Sequence, residues 1–85
     1  MNIEYSRGFL KSASRLSKRI IETADRKEAL FRGDPFHPGL ETHKLHGKDK
    51  DAWSFSVDRR YRIKFSFLEN NRVLFLDIGL HDIYR

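Results

Sequence analysis

The side chains able to hold an anion or move a proton fall in the second half of this chain, on a repeating pattern. Trp53, Phe55 and Val57 alternate with Ser54, Ser56 and Asp58, and Tyr61, Ile63, Phe65 and Phe67 alternate with Arg60, Arg62, Lys64 and Ser66. A period of two sends the two sets to opposite faces of a strand. One face therefore gathers Ser54, Ser56, Arg62, Lys64 and Asp77, with Val73 and Phe75 toward its far end. His81 joins them if the last strand runs extended past Gly79, and Arg59 and Arg60 stand at the rim. Guanidinium, ammonium, hydroxyl and imidazole groups on an uncovered face suit an anion. Lys64 is expected opposite Asp77 as a cross-strand ion pair, which leaves Arg62 the freer cation. The plainer reading is a solvated polar face of the kind antiparallel sheets often carry.

Other chemistries are disfavoured by residue type. The chain has no cysteine, which removes disulfides, zinc ribbons and thiol nucleophiles together. His37, His43 and His46 lie close in sequence but have no carboxylate at ligand spacing, so no metal site is expected. His81-Asp82 matches a metal-binding pair found in larger, all-helical phosphohydrolases, a class this length and pattern exclude. No glycine-rich phosphate loop and no Ser-His-Asp arrangement is present, and no cofactor is expected.

Several elements must position the polar face. Residues 2–5 alternate polar and apolar as a short edge strand, and Ser6 can cap a helix start. Phe9, Ala13, Leu16, Ile20 and Ala24 recur at helical spacing, with Arg7, Lys11, Arg15 and Lys18 as a basic stripe on the opposite side. That stripe reads as an exposed helix face, or as a track for phosphates. Ser12, Ser14 and Ser17 weaken the middle, so one long helix or two meeting near Ser17 both fit. Gly33-Asp34-Pro35 is a helix stop, and 33–43 is a loop with two prolines. Lys44-Leu45 can begin extended structure. Val73–Ile78 is nearly all apolar, as in a strand covered on both faces.

Register follows from which residues can share a core. A two-residue turn at Asn70-Asn71 pairs Phe67 with Leu74, Phe65 with Leu76 and Ile63 with Ile78. An odd-length turn at Asp58-Arg59-Arg60 pairs Val57 with Tyr61, Phe55 with Ile63 and Trp53 with Phe65. A slip of one residue would bury Arg62 and Lys64. Trp53, Tyr61, Phe65 and Phe67 accordingly read as core and not as base-stacking platforms. The expected domain is α+β, in the order βα(α)βββ, with the helices on one face of a mainly antiparallel sheet.

Size and charge agree. Eighty-five residues leave room for one domain, 1–85, whose core must be economical and aromatic. Seventeen Lys+Arg, ten of them Arg, against twelve Asp+Glu point to an anionic partner. No apolar run suits a membrane span and the first residues carry no signal-peptide core, so a cytoplasmic protein without membrane contact is expected.

The stretches ALFRGDPFHPGLETHKLHG, WSFSVDRRYRIKFSF and VLFLDIGLHDIYR resemble the RelE/ParE superfamily of type II toxin–antitoxin toxins, most of all its RelE/StbE-like and YafQ-like members. THKLHG, Tyr61-Arg62-Ile63 and IGLHDIY are the most specific pieces, and the likeness spans nearly the whole chain. It favours two helices, Phe9–Leu16 and about Ser17 to Arg32, in a βααβββ order. It implies a ribosome-dependent mRNA endonuclease in which the 2′-hydroxyl attacks the adjacent phosphate to give a 2′,3′-cyclic phosphate. Such a reaction needs a base, cations on the phosphorane and an acid for the 5′-oxygen. By the resemblance, Arg62 stabilises the phosphorane and His81 is a general acid or base. His43 matches a YafQ-like histidine, and Tyr84 matches the C-terminal aromatic that orients the nucleotide. Lys44, Arg59, Arg60 and Lys64 would bind phosphates of messenger or ribosomal RNA.

The resemblance also implies a cognate antitoxin through which the complex binds operator DNA, with the ribosome and mRNA as further partners. Ser54 and Ser56 depart from the family, since RelE-like members carry lysines there and YafQ-like members a histidine matching Ser56. Proton transfer then falls to His81 and His43. Two other readings share the fold: a non-catalytic ParE-like inhibitor of DNA gyrase, which His43 and His81 disfavour, and a degenerate scaffold bound only by antitoxin.

Overall fold

The computed structural model describes residues 1–47 and 51–81. In chain order the elements are β1 (Asn2–Tyr5), α1 (Arg7–Ala13), α2 (Lys18–Gly33), a 3-10 turn (Pro38–Leu40), β2 (His43–Lys44), β3 (Trp53–Ser56), β4 (Tyr61–Leu68) and β5 (Arg72–Leu80). The five strands form one sheet in the order β1-β5-β4-β3-β2, antiparallel except for the parallel β1–β5 pair. No helix among the described residues is long and apolar enough to cross a membrane.

Two serines start the two helices. Ser6 accepts the Phe9 N–H at 3.0 Å and Ser17 accepts the Ile20 N–H at 3.3 Å, each satisfying a first-turn donor that would otherwise lack a partner. The break at 14–17 falls among the serines that weaken the pattern, so two helices form. The α1 start comes two residues before Phe9 and its end three before Leu16, whereas α2 matches the expected bounds within a residue. Ile20, Ala24 and Phe31 are the buried face of α2. Phe31 is fully buried and stacks on Phe55 at 4.9 Å, with the edges of Phe65 and Phe75 at 5.0 and 5.7 Å. This four-ring centre is the core's largest apolar mass, and truncating Phe31 to Ala would cost about 3–5 kcal/mol. The Tyr5 hydroxyl donates to the Glu28 carboxylate and ties β1 to α2. Partial burial, then the Glu28 carboxylate, raise its pKa above 10.0.

The β3–β4 register is the expected one: Trp53 with Phe65, Ser54 with Lys64, Phe55 with Ile63 and Ser56 with Arg62. The Asp58 carboxylate holds its turn by accepting the Arg60 and Tyr61 N–H groups, both at 2.8 Å.

The β4–β5 hairpin differs from expectation. Ile63–Ile78 and Lys64–Asp77 pair as predicted, but a bulge follows, and Phe65 then faces Phe75 while Phe67 faces Val73. The turn spans Glu69–Asn71, with Asn70 and Asn71 both left-handed at φ 61° and 57°. Leu76 is the extra residue, and its carbonyl accepts the Ser6 hydroxyl at 2.8 Å. The predicted Phe65–Leu76 and Phe67–Leu74 pairs are therefore replaced. Val73 and Phe75, expected on the open face, are buried beneath the helices. Leu76 packs instead with Leu45 and Ala52, whose ladder bond continues the β2–β3 register.

Phe67 also departs from its expected place. It is 40% exposed and forms a rim cluster with Trp53 and the loop residue Phe36 at 5.5 and 6.0 Å.

Candidate functional site

Strand register assembles the site on the sheet face away from the helices. Arg62 on β4 stands between Ser56 on β3 and Gly79 on β5, and Lys64 between Ser54 and Asp77. Gly79 adds no side chain beside Arg62. Ser54 also pairs with His43 on β2, which brings that histidine to the same face.

This face is less open than its polarity suggests. Ser54 is fully buried and Ser56 nearly so, its hydroxyl spent on the Asp58 carbonyl at 2.9 Å. The Arg62 side chain is only 12% exposed, and its Nη2 lies 3.8 Å from Oε1 of Glu41. Its Nε and Nη1, like the Ser54 hydroxyl, are buried and have no hydrogen-bond partner among the described residues. Arg62 is thus an enclosed cation beside a carboxylate, not the freer cation expected. Guanidinium donors kept from water without acceptors are costly unless an anion supplies the acceptors.

Histidines approach from two sides. The His43 ring is exposed, with Nδ1 3.1 Å from the Glu41 carbonyl. A carbonyl only accepts, so in that bond Nδ1 carries the proton and the neutral ring keeps its lone pair on Nε2. At the opposite end, the His81 N–H bonds the Arg60 carbonyl at 2.6 Å and carries the ladder one residue past β5. β5 itself ends at Leu80, so His81 stands at the end of the sheet next to the Arg60 backbone, where strand alternation no longer fixes the face of its side chain. His81 lines a shallow hollow of about 250 Å³ with Arg59, Arg60 and Leu80. The Arg60 guanidinium sits 6.0 Å over the Tyr61 ring.

The predicted residues therefore divide. Arg62, Lys64 and His43 share one face, while His81 lines the hollow at the end of the sheet with Arg59 and Arg60. Lys44 does not join them: it pairs with Trp53, so alternation puts it on the helix side of the sheet edge. Tyr84 lies outside the described residues. Glu41 is the residue the sequence reading missed. It stands two before His43, a spacing that suggests the same face, but it sits in the left-handed conformation (φ 51°) after the 3-10 turn, where alternation does not apply. Among the described residues no three His, Cys, Asp or Glu side chains converge to hold a metal ion.

No family model and no curated protein matches the chain. Solved structures do. YafQ from E. coli strain BL21(DE3) superposes with a TM-score of 0.79 at 20% identity, over 96% of this chain and 94% of that one. YafQ is also solved in an E. coli DinJ–YafQ toxin–antitoxin complex. A YoeB/ParE toxin from Agrobacterium tumefaciens gives 0.78 at 15% identity, over 95% and 99% of the two chains. The archaeal RelE–RelB complex from Pyrococcus horikoshii OT3 gives 0.74 at 15% identity, over 93% and 92%. The α+β arrangement built above is the fold shared by these YafQ, YoeB/ParE and RelE structures.

Proposed function

We propose that this chain is the toxin of a type II toxin–antitoxin pair and that it cleaves messenger RNA on the ribosome. One observation carries the reading: a largely buried guanidinium with two unpartnered donors, on the face that also receives His43, with His81 just past the end of β5. In the step proposed, Nε2 of His43 takes the proton of the 2′-hydroxyl, and the freed oxygen attacks the adjacent phosphorus. The Arg62 guanidinium, through Nη2, donates to the phosphorane oxygens, where negative charge grows. The bond to the 5′-oxygen breaks as protonated His81 delivers a proton to it, leaving a 2′,3′-cyclic phosphate and a 5′-hydroxyl. Protons balance, and no water is consumed. Arg59, Arg60 and Lys64 hold neighbouring phosphates. A cognate antitoxin is the further partner, as the DinJ–YafQ toxin–antitoxin complex suggests, and an acidic surface on it would complement this basic face.

Primer extension on messenger from cells expressing the chain tests this. Discrete cuts within translated codons are expected, and Arg62→Ala or His81→Ala should each remove both the cuts and growth inhibition while leaving the fold intact. Intact messenger with gyrase-linked DNA damage would replace this reading with the ParE-like one.

A further inference from the structure

The contact between Glu41 and Arg62 is unusual for an ion pair around a buried guanidinium. At 3.8 Å it is beyond hydrogen-bond distance, it engages Nη2 alone, and the Glu41 side chain is 68% exposed. The backbone around it is fixed on both sides. Leu40 is fully buried, the Glu41 N–H closes the 3-10 turn onto the Pro38 carbonyl at 3.3 Å, and the Glu41 carbonyl meets the His43 ring. A carboxylate is thereby held near Arg62 without satisfying it.

We infer that Glu41 is a displaceable counter-ion that makes the Arg62 site select singly charged internal phosphodiesters over doubly charged terminal phosphates. This rests on the reading of Arg62 as the phosphate ligand. An entering phosphate can take Nη2, which Glu41 approaches only to 3.8 Å, so it displaces a contact of small net strength. Glu41 remains tethered at the rim by its fixed backbone, and its charge repels whatever occupies the site. That repulsion scales with the charge of the guest. A phosphodiester carries one negative charge, whereas a phosphomonoester carries nearly two near neutral pH.

The test is an NMR titration of the full-length chain, following the Arg62 Nε–H resonance. The probes are a dinucleoside monophosphate with a 2′-deoxy sugar, which cannot be cleaved, and a nucleoside 5′-monophosphate. Glu41→Gln keeps the side-chain shape and removes the charge. It should tighten the diester about two- to fourfold, the range of a weakened exposed pair. It should tighten the monoester by about the square of that factor, since a doubled charge doubles the repulsive free energy. Equal affinities in wild type and variant, or an equal gain for both probes, would overturn the inference. So would weaker binding, or slower messenger cleavage with binding unchanged, because Glu41 would then take part in the reaction itself. If wild type and Arg62→Ala bind the diester alike, it is the phosphate site that fails, whatever Glu41 does.

Discussion

Two side chains on the open face, Arg62 and Ser54, bury polar atoms that have no hydrogen-bond partner among the described residues, and they answer to different causes. Arg62 has a carboxylate near its Nη2, and under the function proposed above an anion completes its site. Ser54 is fully buried beneath its neighbours, so its hydroxyl reaches neither solvent nor substrate. Burying such a hydroxyl without a partner costs about 1–3 kcal/mol, and removing it relieves that cost at the expense of a very small void. Ser54→Ala should therefore raise the stability of the free chain, by about 0.5–1 kcal/mol, read as a higher urea midpoint at unchanged slope. Messenger cleavage should not change. A loss of stability would mean that the hydroxyl is satisfied after all. The sequence placed Ser54 correctly by alternation, but alternation reports which face a residue takes and not whether that face is covered. Arg62 carries the same lesson, since its neighbour Glu41 is brought there by a left-handed backbone that no periodicity encodes.

At the scale of elements, Ser6 joins two features that the sequence shows only singly. It caps α1 through the Phe9 N–H and donates to the carbonyl of Leu76 at the bulge of β5. The cap was legible as a serine before an apolar helical pattern. The bulge was not, because Val73, Leu74, Phe75 and Leu76 are all apolar and either register buries an apolar face. Farther along, Arg62 and Lys64 fix the register by the cost of burying them, and there the expected pairs are the observed ones. The bulge reconciles the two halves: it turns Phe75 under the helices while keeping Asp77 and Gly79 beside Lys64 and Arg62. Ser6→Ala removes the cap and the donor to the bulge carbonyl together, and should cost about 1.5–2.5 kcal/mol. A urea unfolding series would detect this against Ser17→Ala, which removes the α2 cap alone and should cost about 1 kcal/mol. Equal losses would mean that the bond to Leu76 adds nothing.

At the scale of the molecule, the anion site proposed on one enclosed arginine would need help from charges spread around it. The chain carries a net charge of +5, and the Cα radius of gyration is 11.8 Å, so the cationic side chains among the described residues all start near the sheet. Distance is not the deciding variable; the face is. Arg59 and Arg60 are exposed at the rim of the Arg62 side, next to His81, whereas the register puts Lys44 on the other side with Trp53. Counting cations in the sequence treats all three alike, and the sheet does not. Each phosphate neutralised on a single strand steepens the dependence of log affinity on log salt by about 0.7. Replacing both Arg59 and Arg60 with alanine should therefore flatten that slope by about 1.4 for a single-stranded RNA made uncleavable by a 2′-deoxy sugar. Lys44→Ala should leave the slope as it is. Fluorescence anisotropy across a salt series reads both numbers. If Lys44→Ala flattens the slope as much as one rim arginine does, the strand wraps the sheet edge and contacts both faces.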